Sequence, residues 1–337
     1  MTSQFGKLDK FDITTKSYLI KIIRDFFSHE NFLEILSPPM VENPGMEAHV
    51  HPFKVIPVKT TKTHFDDLYL HTSPEFYLKN ILSKGEGLEK IYSICHCFRD
   101  DIKSPIHNNQ FIMIEWYRAN ENYKKIMDDC DNLIKYSLSQ LQKYNIKTNF
   151  TEQEYRLERQ TVKDLFYEYL KINILDFLEV EEIKKLLELN YPDIPLPSSS
   201  QSSNLAWDDY FFLLFLNKIE PHFVKEKKFL LLYEFPKHLA ALSTIKNDDS
   251  RVCERFEIYL NGIEICNAYN ELIDLKIQQE RFEQQNQIKK SFYKYELPAP
   301  SVLYQALSNG LPPSAGIALG IERFLLALVS GINNPFI

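Results

Sequence analysis

With 337 residues, 44% of them hydrophobic and 13% aromatic, the chain can fill one large domain or two modest ones and bury a core, which excludes a disordered protein. Its net charge is -7 and its basic runs, Lys225–Lys228 and Lys289–Lys290, are short, which argues against a dedicated nucleic-acid binder. No apolar run reaches the ~20 residues of a membrane span and the N-terminus lacks a signal pattern, so a cytoplasmic protein is expected.

The five cysteines, Cys95, Cys97, Cys130, Cys253 and Cys266, are odd in number and form no disulfide framework. Cys95-His96-Cys97 has no second ligand pair at zinc-like spacing, so zinc is not expected there.

In chain order, residues 14–27 place Tyr18, Leu19, Ile22, Ile23, Phe26 and Phe27 at helical spacing, with Thr14 or Thr15 as the cap. Phe32 to Met40 reads as a short strand stopped by Pro38 and Pro39. Strand patterns follow at Leu68–His71, Ile91–Arg99 and Phe111–Tyr117, with a helix from Pro74 to about Ser83. Ile91–Tyr117 is expected to be a long antiparallel hairpin with an exposed loop at Asp100–Gln110. Residues 121–190 are mostly helical in pattern, and 193–204 form a Pro/Ser loop suited to a boundary or insertion. Strands return at Phe229–Glu234 and Arg255–Tyr269, then a polar helix at Leu275–Tyr293, and Gly316–Val329 reads as strand into helix. Hairpins outnumber βαβ units, so the expected class is α+β with an antiparallel sheet.

Three segments carry candidate chemistry. Asn261-Gly262 between alternating apolar residues is a strong hairpin signal. That turn sets Glu257 and Glu264 diagonally on one face, ~7–8 Å apart. Two such carboxylates suit Mg²⁺, or else they are surface charges on a solvated face. Asn267, Tyr269 and Glu271 share a face, which joins that of Glu264 only if a bulge falls near Cys266. In the first hairpin, Arg99 beside a loop with His107 and Asn108 suits bidentate phosphate binding. Phe111 suits a base, and Glu115 and Tyr117 suit an ammonium; an ordinary polar hairpin edge remains the alternative. Finally, Gly316, Ala318 and Gly320 leave one strand face nearly bare, so something approaches that backbone closely, and Arg323 follows where a helix begins.

Together these segments resemble the three signature motifs of class II aminoacyl-tRNA synthetases, in order: Glu34-Ile-Leu-Ser-Pro38, then Phe98-Arg99-Asp-Asp101 with His107, Asn108 and Phe111, then Gly316 to Arg323. Within that class, Thr72-Ser-Pro-Glu75-Phe-Tyr-Leu-Lys79, Met113 to Tyr117 and Gly262 to Glu271 are most similar to lysyl-tRNA synthetases. Motif 1 begins by residue 40, so their N-terminal anticodon-binding domain is not expected here. That architecture, with Ala318 where the charging enzymes carry glycine, resembles the paralogous elongation factor P lysine ligases.

The resemblance implies a class II catalytic fold over residues 1–337, a single domain with a helical insertion at about 121–205. It implies activation of (R)-β-lysine with ATP and Mg²⁺, and transfer to a lysine of translation elongation factor P by a homodimer, with tRNA not expected as a partner. Arg99 and Arg323 would be catalytic. Arg99, Asp100, Asp101, His107, Asn108, Phe111, Glu257, Ile258, Gly320 and Arg323 would hold ATP, with Glu257 and Glu264 binding the metal. Ser73, Pro74, Glu75, Glu115, Tyr117, Glu264, Asn267, Tyr269, Glu271 and Ala318 would surround the amino acid, Glu75 and Glu271 being best placed to pair an ammonium. Asp101, Asn109-Gln110, Glu322 and Cys266 depart from the family pattern. Two alternatives remain: a lysine-charging enzyme without an anticodon domain, or a non-catalytic amino-acid-binding paralogue.

Overall fold

The computed structural model describes residues 9–58, 67–196, 205–226 and 229–336, so most of the Pro/Ser loop at 193–204 lies outside the described residues. The chain divides into two compact units, one drawn from Met1–Tyr155 and Ile265–Ile337, the other from Arg156–Glu264. The strands are β1 (Leu33–Glu34), β2 (Met40–Val41), β3 (Lys54–Val55), β4 (Leu68–Leu70), β5 (Lys90–Phe98), β6 (Gln110–Ala119), β7 (Glu158–Thr161), β8 (Phe229–Pro236), β9 (Val252–Leu260), β10 (Ile263–Asn270) and β11 (Ser314–Gly320). Sheets are mostly antiparallel and flanked by helices, so the class is α+β, as expected.

In the first unit the sheet order is β1-β5-β6-β11-β10, with β1 parallel to β5 and the rest antiparallel. The expected hairpin is β5 and β6, registered so that Ser93 faces Glu115, Cys95 faces Met113 and Cys97 faces Phe111. It is not half-buried: from Met113 to Ala119 every residue of β6 is buried, because helices cover the sheet.

The first helix runs Lys10–His29 and is capped by Asp9, whose carboxylate accepts from Phe11 N at 2.7 Å; Thr14 and Thr15 lie inside it. Leu19, Ile22, Ile23, Phe26 and Phe27 face inward as expected, whereas Tyr18 is exposed and stacks on Tyr144. The strand expected over 32–40 is only β1. Pro38 and Pro39 supply no donors to a ladder, and the chain leaves for a second sheet ordered β2-β4-β3. Buried Arg118 on β6 grips Asp129 of helix Tyr123–Lys143 through two bonds of 2.6 and 2.8 Å, locking helix to sheet.

The second unit holds β7 parallel to β8 and β8 antiparallel to β9, packed with helices Val162–Leu170, Val180–Asn190, Trp207–Leu214 and Glu220–Glu226. Its core is dense in aromatic rings, with Phe211 stacked on Phe166, Trp207 and Phe215. Strand β7 breaks the run expected to be helical. Asn261 (φ 49°) and Gly262 (φ 76°) form the two-residue turn after β9 with both φ positive, as a type I′ turn requires. A side chain on Gly262 would also strike Val224 at 2.7 Å.

Candidate active site

Strand β11 organises the centre of the first unit. Its small residues pair on both sides: Gly316 with Tyr117 and Tyr269, Ala318 with Glu115 and Asn267. The bare stripe therefore has two different occupants. A Cβ on Gly316 would lie 2.2 Å from Tyr117 Cε1 and 2.5 Å from Glu271 Oε1, so the protein's own side chains fill that space. At Gly320, the residue before helix Ile321–Leu328, a Cβ would meet nothing closer than 3.9 Å, leaving room for a ligand. On β10, Ile265 and Cys266 are both buried, and from Cys266 to Asn270 the strand pairs with β11 in a continuous register without a bulge.

Above this stripe sits a buried charge cluster. Lys79, 1% exposed, donates to Glu75 Oε1 at 2.5 Å and lies 2.6 Å from Glu271 Oε2. Glu75 and Glu271, expected to meet a substrate ammonium, thus already share an internal one. Glu75 and Lys79 stand one turn apart on helix Glu75–Leu82, which brings the two side chains together. Glu115, 1% exposed, accepts from the Tyr117 hydroxyl at 3.1 Å and from Ser73. Ser73 also accepts from Glu75 N at 3.1 Å, and Pro74 precedes the helix. Asn267 donates to the Tyr269 hydroxyl at 2.7 Å.

Two buried carboxylates, Glu75 and Glu271, share one buried ammonium, and a third, Glu115, lies within electrostatic reach of Glu75. Burial, then repulsion from Glu75, holds the Glu115 carboxyl well above the usual carboxylate range. Burial also outweighs the pull of Lys79 on Glu271, pushing it up to about 7, and raises Glu75. Burial opposes the charge on Lys79, but Glu271 and Glu75 together raise its pKa. Glu47, which belongs to no motif in the sequence, adds repulsion on Glu75 and lines the adjoining cavity with Gly45, Thr72 and Ser73.

The loop between β5 and β6 is held by its own polar residues. Asn109 Nδ2 donates to Arg99 O at 3.1 Å and Asp101 O at 3.0 Å, which gives this departure from the family pattern a structural role. Asp100 N donates to His51 O at 2.7 Å, and Asn108 accepts from Asn109 N. The Arg99 guanidinium lies 5.3 Å above the centre of the Phe111 ring. Arg323 meets His107 Nε2 at 2.6 Å, so the two expected anion-binding arginines flank one loop. Burial and Arg323 lower the His107 pKa. Glu322, another departure, is buried, pairs with Lys16 at 2.8 Å and accepts from Ile112 N at 2.9 Å, tying the first helix, β6 and the last helix together.

In the second unit, Glu257 is 7% exposed and accepts from Arg255 at 2.6 Å and the Tyr259 hydroxyl at 2.6 Å, so it is not a solvated surface acid. Burial and then the charges of Glu257 and Glu264 raise Tyr259, placing both acids within electrostatic reach of it. Carboxylate oxygens suit a hard cation such as Mg²⁺, and Glu257 already holds a cationic group, the Arg255 guanidinium. Ile258 buries its side chain and pairs with Leu231 on β8.

The sheet and its motif-bearing hairpin define a class II synthetase fold. The family "tRNA synthetases class II (D, K and N)" matches residues 9–334, and the chain belongs to it. Among its relatives, the elongation factor P–(R)-beta-lysine ligase of Buchnera aphidicola is 33% identical over 95% of this chain and 91% of its own. Those of Hamiltonella defensa and Edwardsiella ictaluri are each 31% identical, over 96% and 95% of this chain and 92% and 91% of theirs. Within the class, the chain falls with these ligases.

Proposed function

We propose that this chain activates (R)-β-lysine with ATP and transfers it to a lysine side chain of elongation factor P. The observation that carries this reading is the buried cluster of Glu75, Glu115 and Glu271, which holds one internal ammonium and is short of positive charge. A substrate with two ammonium groups supplies what the cluster lacks. Ala318, between Glu115 and Asn267, adds a methyl that disfavours an α-amino group and suits a β-amino group.

In this reading a carboxylate oxygen of β-lysine attacks the α-phosphorus of ATP, and the bond to pyrophosphate breaks. The amine of the acceptor lysine then attacks the acyl carbon, and AMP leaves. No protein nucleophile is needed; positioning and charge stabilisation carry the rate. Arg99 and Arg323 would stabilise the phosphate charge, and Phe111 would lie against the base. Glu257 and Glu264 would hold Mg²⁺, whose charge offsets that of the phosphates. A homodimer is supported by Leu33 and Leu36, exposed on and just after edge strand β1. Among the described residues no helix is long and apolar enough to cross a membrane.

The test offers elongation factor P and lysine tRNA in parallel to the protein with ATP, Mg²⁺ and either α- or β-lysine, and weighs both acceptors intact. The reading requires one β-lysyl adduct on the factor. Acylated tRNA beside unmodified factor would overturn it in favour of a charging enzyme.

A further inference from the structure

Along the sequence, Cys95-His96-Cys97 has no second ligand pair beside it. The fold brings a third ligand to it. His71 follows β4, and its carbonyl accepts from Phe98 N at 3.1 Å, fixing it against the end of β5. A nitrogen of His71 and the sulfurs of Cys95 and Cys97 all lie within 4.8 Å of one another. We propose that His71, Cys95 and Cys97 form a binding site for a single thiophilic d¹⁰ cation, with the Met113 thioether as the fourth soft atom.

The geometry suits a metal better than a disulfide. The two sulfurs are 4.0 Å apart, close to the separation of about 3.8 Å for two sulfurs each about 2.3 Å from a tetrahedral zinc. A disulfide needs about 2.05 Å, and residues i and i+2 of a strand already sit at the upper limit of its backbone span. His71 Nε2 lies 2.8 Å from His96 O. A carbonyl only accepts, so Nε2 carries the proton and the lone pair sits on Nδ1, with the Cys95 thiol beside the ring. A second nitrogen bonded to a backbone carbonyl is how metal-ligating histidines are usually oriented. Met113 Sδ lies 3.9 Å from Cys97 Sγ, adding a soft ligand that favours Zn²⁺ or Cu⁺ over oxygen-seeking ions. His71 and Cys97 are buried, while Cys95 is half-buried and gives an ion its access route. The site does not depend on the ligase reaction proposed above.

The test titrates the full chain, freed of metal and kept reduced, with Zn²⁺ and separately with Cu⁺ against a chromophoric chelator, and follows Co²⁺ substitution by absorption. One equivalent of Zn²⁺ or Cu⁺ should bind, and Co²⁺ should give the thiolate charge-transfer bands of a tetrahedral site. Cys95→Ser and Cys97→Ser should each weaken binding by about 100-fold or more, while the Cys130→Ala/Cys253→Ala/Cys266→Ala triple variant, with the other buried thiols removed, keeps it. Circular dichroism without metal checks each fold; if Cys97→Ser fails to fold, Cys95→Ser decides. No uptake of either ion, or uptake that survives Cys95→Ser, would overturn the site.

Discussion

Replacing Lys79 by methionine keeps the unbranched stem and removes the ammonium that Glu75 and Glu271 share. At 2.6 Å and an effective dielectric of about 20, one such contact has a Coulomb ceiling of about 6 kcal/mol. Much of that offsets the desolvation of the ions, and removing one partner from a buried pair typically destabilises by about 3–5 kcal/mol. Against a total stability of about 5–15 kcal/mol, the variant should fold but unfold at a markedly lower urea concentration. The deficit should also depend on pH. Without Lys79 the two carboxyls bind protons more tightly folded than unfolded. Between the ordinary carboxylate range and their raised folded values, the folded state therefore holds more protons, and stability falls as pH rises. Urea unfolding should show a deficit larger at about pH 8 than at about pH 5.5. A loss below about 1 kcal/mol, or one that does not change with pH, would refute the coupling of this lysine to the buried acids.

Three further outcomes are expected. Because Glu271 is held up to about 7, it is neutral below that pH and charged above it, so β-lysine binding measured by calorimetry should strengthen as pH rises through 7; Glu271→Gln should abolish the step, and a persisting step would assign it to another group. Gly316→Ala sets a methyl 2.2 Å from the buried Tyr117 ring and should cost about 1–3 kcal/mol in thermal unfolding while weakening β-lysine binding; wild-type values for both would show that the ring moves freely. Ala318→Gly should raise the use of α-lysine relative to β-lysine in pyrophosphate exchange by about 10–200-fold, and an unchanged ratio would remove Ala318 from substrate selection.

What could be read from the sequence is what local chemistry dictates. The Asn261-Gly262 turn, the β5–β6 hairpin and the helix Leu275–Tyr293 each carry their pattern in adjacent residues. Strand β7 does not: Glu158-Arg-Gln-Thr161 has no apolar alternation, and its pairing to β8 comes from a distant segment. Lys79 illustrates the same limit at the site. Lysine is rarely buried, and one of its partners, Glu271, arrives from the far end of the chain. The acids were legible as ammonium ligands; the ammonium they already hold was not. His71 is hidden for the same reason, since only the fold carries it beside Cys95 and Cys97. Asp9, the actual cap, stands well before the apolar stripe that begins at Tyr18 and pointed to Thr14 or Thr15.

The most direct measurement compares ATP–pyrophosphate exchange with (R)-β-lysine and with (R)-3-aminohexanoate, which has the same backbone but lacks the terminal ammonium. If the buried carboxylates receive two positive charges, the analogue should lose at least about 10³-fold in kcat/KM, as sites built around a polar group reject ligands without it. Exchange within about tenfold for the two would contradict the assignment of Glu75, Glu115 and Glu271 as the receptor for a doubly charged substrate.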